Sequence, residues 1–286
     1  MLNESTLSIT DLTEDAIPFS TKGPKRLAWE DLKEGLMRWQ VWYMLAYQDI
    51  KLRYRRSLLG PFWLTISMAI TVYSMGYLYS YLFHMNIREY FPYLVAGMLG
   101  WSLISVTLTD LIEAFSYPEA MLKQIKLPYS IYVHRVAMRN IIIFFHNILI
   151  MVPILIIFHN VAKVNFCLLL LIPGLFIIYF NFICYGLVFS MIGARYRDIS
   201  QIIKSLVQVA FFITPIMWTP DILPPSKRFI AYLNPFYAFI ELVRQPLIGH
   251  APTLLNILVV GVLTIIGITA GYLIFPARRA RIIYWL

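Results

Sequence analysis

Six long apolar stretches constrain the fold of this chain more than any other feature of its sequence. A bilayer core about 30 Å thick is crossed by a helix of roughly 20 apolar residues, whose backbone polar groups are all paired internally. Such stretches lie at about residues 62–83, 90–115, 141–158, 166–192, 199–218 and 254–275. They predict an all-α, polytopic membrane protein with six transmembrane helices, which places both termini on one side.

The charge distribution predicts which side that is. Only 14% of the residues are charged and 59% are hydrophobic. About 25% are charged in an ordinary soluble domain, so a water-soluble globular fold is excluded. Nineteen of the 24 lysines and arginines lie on the predicted side of the termini, and five lie on the other. Because loops rich in Lys and Arg stay in the cytoplasm, both termini are expected there. The net charge of +9 then needs no nucleic-acid partner.

Three segments follow one another along the chain. Residues 1–28 begin with a polar, partly acidic run that lacks the apolar core of a signal peptide, and predict a disordered cytoplasmic leader. Residues 29–56 predict an amphipathic interface helix, because one stripe carries Leu32, Leu36, Trp39, Tyr43, Tyr47 and Ile50. This helix fits a simple membrane anchor as well as a surface that receives a cytoplasmic partner. Residues 57–286 hold the six predicted spans and a cytoplasmic tail.

The segment before the last span is not an ordinary polar loop. Six prolines divide residues 219–252 into short pieces that are nevertheless rich in apolar and aromatic side chains. This composition predicts a pair of short re-entrant or interfacial helices, whose irregular backbone is shielded by protein. Glu241 and Arg244 are three residues apart, a spacing that allows them to pair on one helix face.

Two stripes of polar and aromatic residues inside the predicted spans are candidates for a conduit. The first span carries Tyr73, Tyr77 and Tyr81 at helical spacing. The fifth carries a stripe that leads toward Trp218 and consists of Gln201, Ser205, Gln208 and Phe212. Aromatic rings pack on the C–H faces of sugars, and polar groups bind their hydroxyls. The alternatives are hydrogen bonding between helices for the Gln/Ser stripe and an interfacial aromatic belt for Tyr81.

Three motifs give the chain a family resemblance. They are RYRRSLLGPFW at residues 53–63, GARYRD at 193–198 and NPFY at 234–237, the last followed by Glu241 and Arg244. With these motifs, over roughly residues 30–280, the chain resembles the membrane component of ABC-type polysaccharide exporters. The first motif is more similar to the O-antigen and teichoic acid exporters than to the capsule branch.

The resemblance implies a transport subunit and not an enzyme. Such permeases form homodimers in the plasma membrane, which is the bacterial inner membrane, and move lipid-linked polysaccharide such as O-antigen from the cytoplasm to the outer face. ATP and magnesium bind to a separate nucleotide-binding ATPase subunit, and the chain itself needs no cofactor. In agreement, the sequence has no G-x-x-x-x-G-K-[ST] phosphate loop and no spacing typical of a metal site. The alternatives are capsule, teichoic acid or drug cargo, a secondary transporter, or a polytopic glycan-modifying enzyme.

The resemblance also suggests roles for charged residues outside the spans. Arg53, Arg55 and Arg56 match the geometry of a lipid headgroup or pyrophosphate, although they serve equally well as topology determinants. Force from the ATPase would enter through three segments: the interface helix, a proline-bounded piece long enough for a two-turn helix, and the GARYRD motif. Their candidate coupling residues are Arg38, Trp39, Glu119, Lys123, Lys126, Arg195 and Asp198. The alternative for these segments is a set of solvated loops.

Overall fold

The segment before the first span folds as two helices. The computed structural model describes residues 23–55, 57–60, 62–162 and 164–286, and within these residues it contains helices and no β-strand. Helix α1 spans Pro24–Met37 and α2 spans Trp39–Arg53, where the sequence predicts one helix over 29–56. The chain bends between them at Arg38, whose φ of −85° and ψ of 42° are not helical. Residues 24–28, predicted as leader, are helical, and residues 1–22 lie outside the described residues.

Each predicted apolar stretch coincides with at least one long helix of the structure. The first half of the bundle contains α3 Phe62–Leu82, α4 Ile87–Ile112, the short α5 Glu119–Gln124, α6 Tyr129–Asn147 and α7 Met151–Ile157. The second half contains α8 Leu171–Arg195, α9 Asp198–Ile213, α10 Arg228–Tyr232, α11 Pro235–Ile248, α12 Leu254–Arg278 and α13 Ile282–Trp285. Short 3-10 segments join α6 to α7 and precede α8.

Four stretches within the described residues are long and apolar enough to cross a bilayer. They are Ile87–Ile112, Tyr129–Ile157, Phe166–Arg195 and Leu254–Trp285. Helix α3 is long enough, with 21 residues, but its tyrosines and serines make it less apolar. Helix α9 has only 16 residues. The chain is therefore an all-helical protein with four clear candidate spans, and the count of six remains a prediction for α3 and α9.

Two predicted boundaries are wrong for identifiable reasons. The third stretch is predicted to begin at residue 141, but α6 begins at Tyr129, because Arg135 and Arg139 are paired within the helix bundle and do not mark a loop. The fifth stretch is predicted to end at residue 218, but α9 ends at Ile213. Pro215 favours an extended conformation in the residue before it, and Thr214 has a ψ of 136°.

Helix α4 lies at the centre of the bundle. It packs against α3, α6, α8, α9 and α11, whereas α12 packs mainly against α8 and α11. Glycine allows the close approach between α4 and α8, because a Cβ at Gly193 would overlap the main-chain carbonyl oxygen of Ile112. One end of the bundle is here called the basic end. It contains the C-terminal ends of α4, α8 and α12 and the start of α6, together with α1, α2, α5 and α13.

We expect Gly193→Ala to lower the thermal unfolding midpoint in detergent, because the backbone of α4 cannot yield as a side chain could. Overpacking of this kind costs about 1–3 kcal/mol. The matched control is Gly261→Ala in α12, where a Cβ would meet nothing within 4 Å. Equal midpoints for the two variants would contradict the close packing of α4 on α8.

Candidate functional site

A fully buried arginine holds the irregular backbone that follows α9. Arg244 of α11 has a relative accessibility of 0% and donates a hydrogen bond of 2.7 Å to the carboxylate of Glu241, which is also buried. A second nitrogen of its guanidinium donates to the carbonyl oxygen of Pro215 at 2.8 Å. The guanidinium lies 3.9 Å from the ring centroid of Tyr93, and Gly97 of α4 leaves room for it. The predicted pairing of Glu241 with Arg244 is thus confirmed.

Tyrosines of α4 satisfy the other carbonyl groups of the same break. Tyr90 donates to the carbonyl oxygen of Met217 at 2.7 Å, and Tyr93 lies 3.3 Å from the carbonyl oxygens of Pro215 and Trp218. Unpaired backbone groups are costly in an apolar environment. The Arg244 guanidinium and these hydroxyls therefore allow a non-helical segment to lie against the bundle.

A second charged network lies at the basic end. Arg135 of α6 binds Asp49 of α2 through two hydrogen bonds, of 2.6 and 2.8 Å. Arg139 contacts Asp49 at 3.2 Å and Asp110 of α4 at 2.7 Å, so one guanidinium bridges two carboxylates. Asn140 donates to Asp110 at 3.0 Å. These contacts join the interface segment to the two central helices α4 and α6.

A cavity of about 330 Å³ opens beside this network. Its charged lining includes Asp49, Arg53, Asp110, Glu113, Arg135 and Arg139. Glu113 also receives hydrogen bonds from Ser200 and, at 2.6 Å, from Lys204 of α9. The bonds from Lys204 and Ser200 hold the pKa of Glu113 below its usual range. The carboxylate therefore stays ionised and ties the end of α4 to the start of α9.

The predicted tyrosine stripe of α3 divides into two environments. Tyr73 is half-buried, and its hydroxyl donates to the carbonyl oxygen of Ile150 at 2.6 Å. Tyr77 and Tyr81 are 61% and 64% exposed, and their rings meet at 5.1 Å between centroids. An open aromatic face therefore exists on α3, but Tyr73 does not share it.

The predicted stripe of α9 is open along its length. Gln201, Ser205, Gln208 and Phe212 are exposed, while Val207 on the opposite face packs toward α4. Within the described residues, Ser205 bonds to the carbonyl oxygen of Gln201, and neither glutamine side chain forms a hydrogen bond to a neighbouring helix of this chain. Trp218 is half-buried, and its ring nitrogen donates to the carbonyl oxygen of Phe212.

The predicted coupling residues all lie at the basic end. Arg38 pairs with Glu34, and Trp39 is 54% exposed. Helix α5 has six residues, which is shorter than the predicted two turns, and its Lys123 contacts Glu119 at 2.7 Å. This contact holds the pKa of Glu119 below its usual range. Lys126, Arg195 and Asp198 are exposed, and Arg195 lies over the rings of Tyr196 and Trp285.

Two of the predicted headgroup arginines precede a tight turn. Arg53 ends α2 and lines the cavity, and Arg55 is exposed. Arg56 and Pro61 lie outside the described residues. Gly60 has a φ of +56°, a left-handed conformation that favours glycine and turns the chain toward α3. The second half of the predicted interface helix thus ends at Arg53, before this turn.

Comparison with known proteins assigns the family. A sequence profile described as ABC-2 type transporter matches residues 40–248, well over half of the chain. The chain belongs to this family. The family resemblance inferred from the three motifs is thereby confirmed, and this ABC-2 family member is an integral membrane protein.

Three curated relatives of this ABC-2 family member share one name, O-antigen export system permease protein RfbA. One from Klebsiella pneumoniae is 22% identical over 233 residues, covering 79% of this chain and 88% of that protein. Another from the same organism is 21% identical over 203 residues, covering 69% and 76%. A third, from Myxococcus xanthus, is 20% identical over 240 residues, covering 82% and 91%.

The sequence did not predict the network around Asp49, Arg135, Arg139 and Asp110. Arg135 and Arg139 precede the third predicted stretch at 141–158, so the sequence places them in a cytoplasmic connection, where they contribute only to the charge asymmetry. Their spacing of four residues on one helix face was the available signal, since two arginines so placed need acidic partners when that face is buried. Which acidic residues they meet depends on the packing of α2 and α4.

We expect Arg244→Met to destabilise the protein strongly, because it leaves the Glu241 carboxylate buried without its partner. Breaking a buried pair costs roughly 3–5 kcal/mol. The double variant with Glu241→Leu should recover part of the loss but not all, because the Pro215 carbonyl still lacks the shorter hydrogen bond from Arg244. Thermal unfolding in detergent measures both effects.

The control for this prediction is Arg228→Met. Arg228 contacts the Asp221 carboxylate at 3.2 Å and the carbonyl oxygens of Leu223 and Asp221 at 3.2 and 3.4 Å, but the side chain of Asp221 is 74% exposed. Exposed pairs contribute about 0–1 kcal/mol, so this variant should unfold close to the wild type. A similar loss for Arg228→Met and Arg244→Met would refute a special role for the buried pair.

Proposed function

We propose that this chain is the membrane subunit of an ATP-driven exporter that moves lipid-linked polysaccharide of the O-antigen type outward across the bacterial inner membrane. The observation that carries the proposal is the match to the ABC-2 transporter family over residues 40–248. The three relatives named as O-antigen export permeases support this cargo. ATP and magnesium would bind to a separate ATPase subunit, and both termini of the chain would be cytoplasmic.

The working transporter in this proposal is a homodimer with six spans in each subunit. Helices α3 and α9 would be the two spans beyond the four clear candidates, with α10 and α11 re-entering from the outer side. The open faces of α3 and α9 support this arrangement, because glutamines facing lipid are costly. A second subunit related by a two-fold axis would close these faces around a path that admits a glycan.

The basic end would receive the ATPase subunit. Positive charge concentrates there, and α2 and α5 present exposed side chains beside the charged network that reaches α4 and α6. In this arrangement the cavity beside Arg53 lies where a lipid-linked substrate would arrive from the cytoplasmic leaflet. Its arginines suit a phosphate-bearing headgroup.

Reconstitution in vesicles tests the function. We expect the purified chain alone to hydrolyse no ATP, and the chain assembled with an ATPase subunit from the same organism to carry polyprenyl-linked glycan across the bilayer only when ATP is supplied. Cells that lack the chain should accumulate the lipid-linked glycan on the cytoplasmic face. Nucleotide hydrolysis by the chain alone, or transport driven by an ion gradient without the partner, would refute the proposal.

A substitution in α9 tests the conduit. Gln208→Leu should reduce glycan export in cells that hold normal levels of the protein, because it removes hydrogen-bonding groups from the middle of the open stripe. A tenfold loss corresponds to about 1.4 kcal/mol, which is within reach of one charged or polar contact. Thr269→Val, on an exposed face of α12, is the control and should export normally. Unchanged export with Gln208→Leu would remove this residue from the path.

A further inference from the structure

A buried carboxylate in α1 connects three separate parts of the chain. Asp31 has a side-chain accessibility of 0%, although it lies in a helix that is otherwise mostly exposed. Its two oxygens accept hydrogen bonds from the main-chain N–H groups of Tyr129 and Ser130, both at 3.0 Å, and from the Ser130 hydroxyl at 2.9 Å. Arg279, beyond the end of α12, donates a fourth bond at 2.9 Å.

These contacts fix the start of α6 to α1. The first N–H groups of a helix have no partner within it, and a carboxylate placed there is favoured by both the hydrogen bonds and the helix dipole. Asp31 supplies this cap from another helix. The Ser130 hydroxyl lies 2.8 Å from the Asp31 carbonyl oxygen as well, so the two residues are joined through side chain and main chain.

The packing around Asp31 leaves little freedom between the helices. Gly35, one turn further along α1, faces Ser130 so closely that a Cβ there would overlap the serine hydroxyl. Lys25 lies over the ring of Tyr272 in α12, with 5.4 Å to its centroid. The guanidinium of Arg279 lies over the ring of Tyr129 at 5.2 Å. Helix α1 is thus held between the start of α6 and the end of α12.

The position of this junction relates it to the short helix α5. Residues 125–128 alone connect α5 to α6, and a link of this length spans at most roughly 17 Å. A displacement of α5 that exceeds the reach of this link must therefore also move the start of α6, where Asp31 and Arg279 bind. Neither Asp31 nor Arg279 lies within residues 40–248, the region that defines the family match.

We propose that Asp31 and Arg279 are positioning residues for energy coupling, which make α1, α6 and α12 respond together when the ATPase subunit displaces α5. This inference rests on the proposed function. Because the carboxylate binds α6 and the arginine at once, loss of either partner removes the charged link between the end of α12 and the start of α6. The consequence is ATP hydrolysis that continues while less glycan is moved.

The test uses the complex of the chain with its ATPase subunit and measures glycan exported per ATP hydrolysed. Asp31→Asn, Arg279→Gln and the double variant are compared with Glu30→Gln, which removes a neighbouring carboxylate on α1 whose side chain is 39% exposed. We expect the ratio to fall about fivefold or more in the first three, the lower range of coupling between sites. The double variant should lower this ratio no further than the more damaging single variant does, because the two residues act as a unit.

The outcomes separate this proposal from a purely structural role and from the proposed function. If the variants lower only the yield or the unfolding midpoint of the complex and keep the wild-type ratio, the coupling role is overturned. Arg279→Gln leaves the cap of α6 in place. If the Asp31→Asn complex does not assemble, the ratio measured for Arg279→Gln tests the coupling role. A wild-type complex without ATP-dependent export would instead refute the proposed function.

Discussion

The buried ion pair between Glu241 and Arg244 is the constraint on which the half of the structure opposite the basic end depends. Helix α9 ends at Ile213, and the segment after it leaves carbonyl groups that no helix satisfies. Arg244 reaches the Pro215 carbonyl only because Glu241 neutralises it and Gly97 leaves space beside it. A buried charge without such a partner would be far too costly. This contact, together with the apolar packing of α11 on α4, fixes the bundle beside the end of α9.

The opposite end of the bundle is organised in the same way but with a different consequence. There, charges join separate helices: Asp49 connects α2 to α6, Arg139 connects α6 to α4, and Asp31 connects α1 to α6 and to Arg279. Apolar packing tolerates small shifts between helices, whereas hydrogen-bonded charges also fix the direction of each contact. The segments that face the proposed ATPase partner are therefore bound to the bundle by specific ion pairs and hydrogen bonds as well as by apolar packing.

Much of this fold is predictable from the sequence because apolar length is a strong signal in a membrane protein. Helices α8 and α12 follow their predicted stretches within a few residues. The start of α6 is predicted wrongly, because charged residues such as Arg135 and Arg139 usually indicate a loop. Their acidic partners on α2 and α4 are not visible in the sequence. Nothing in the sequence predicts the burial of Asp31, since acidic residues are common on exposed amphipathic helices. Its burial arises only when α6 and the C-terminal segment pack on it.

The candidate conduit follows from the rule that also explains the buried pair. A polar group in an apolar environment needs a partner, and Arg244 and Tyr73 find theirs inside the chain. The side chains of Gln201 and Gln208 do not find one on a neighbouring helix among the described residues. In a bilayer they must therefore face water, a passing substrate or another subunit. In the proposed homodimer, the second subunit and the glycan path would supply these environments, so the physical requirement that closes the bundle at α11 would keep it open at α9.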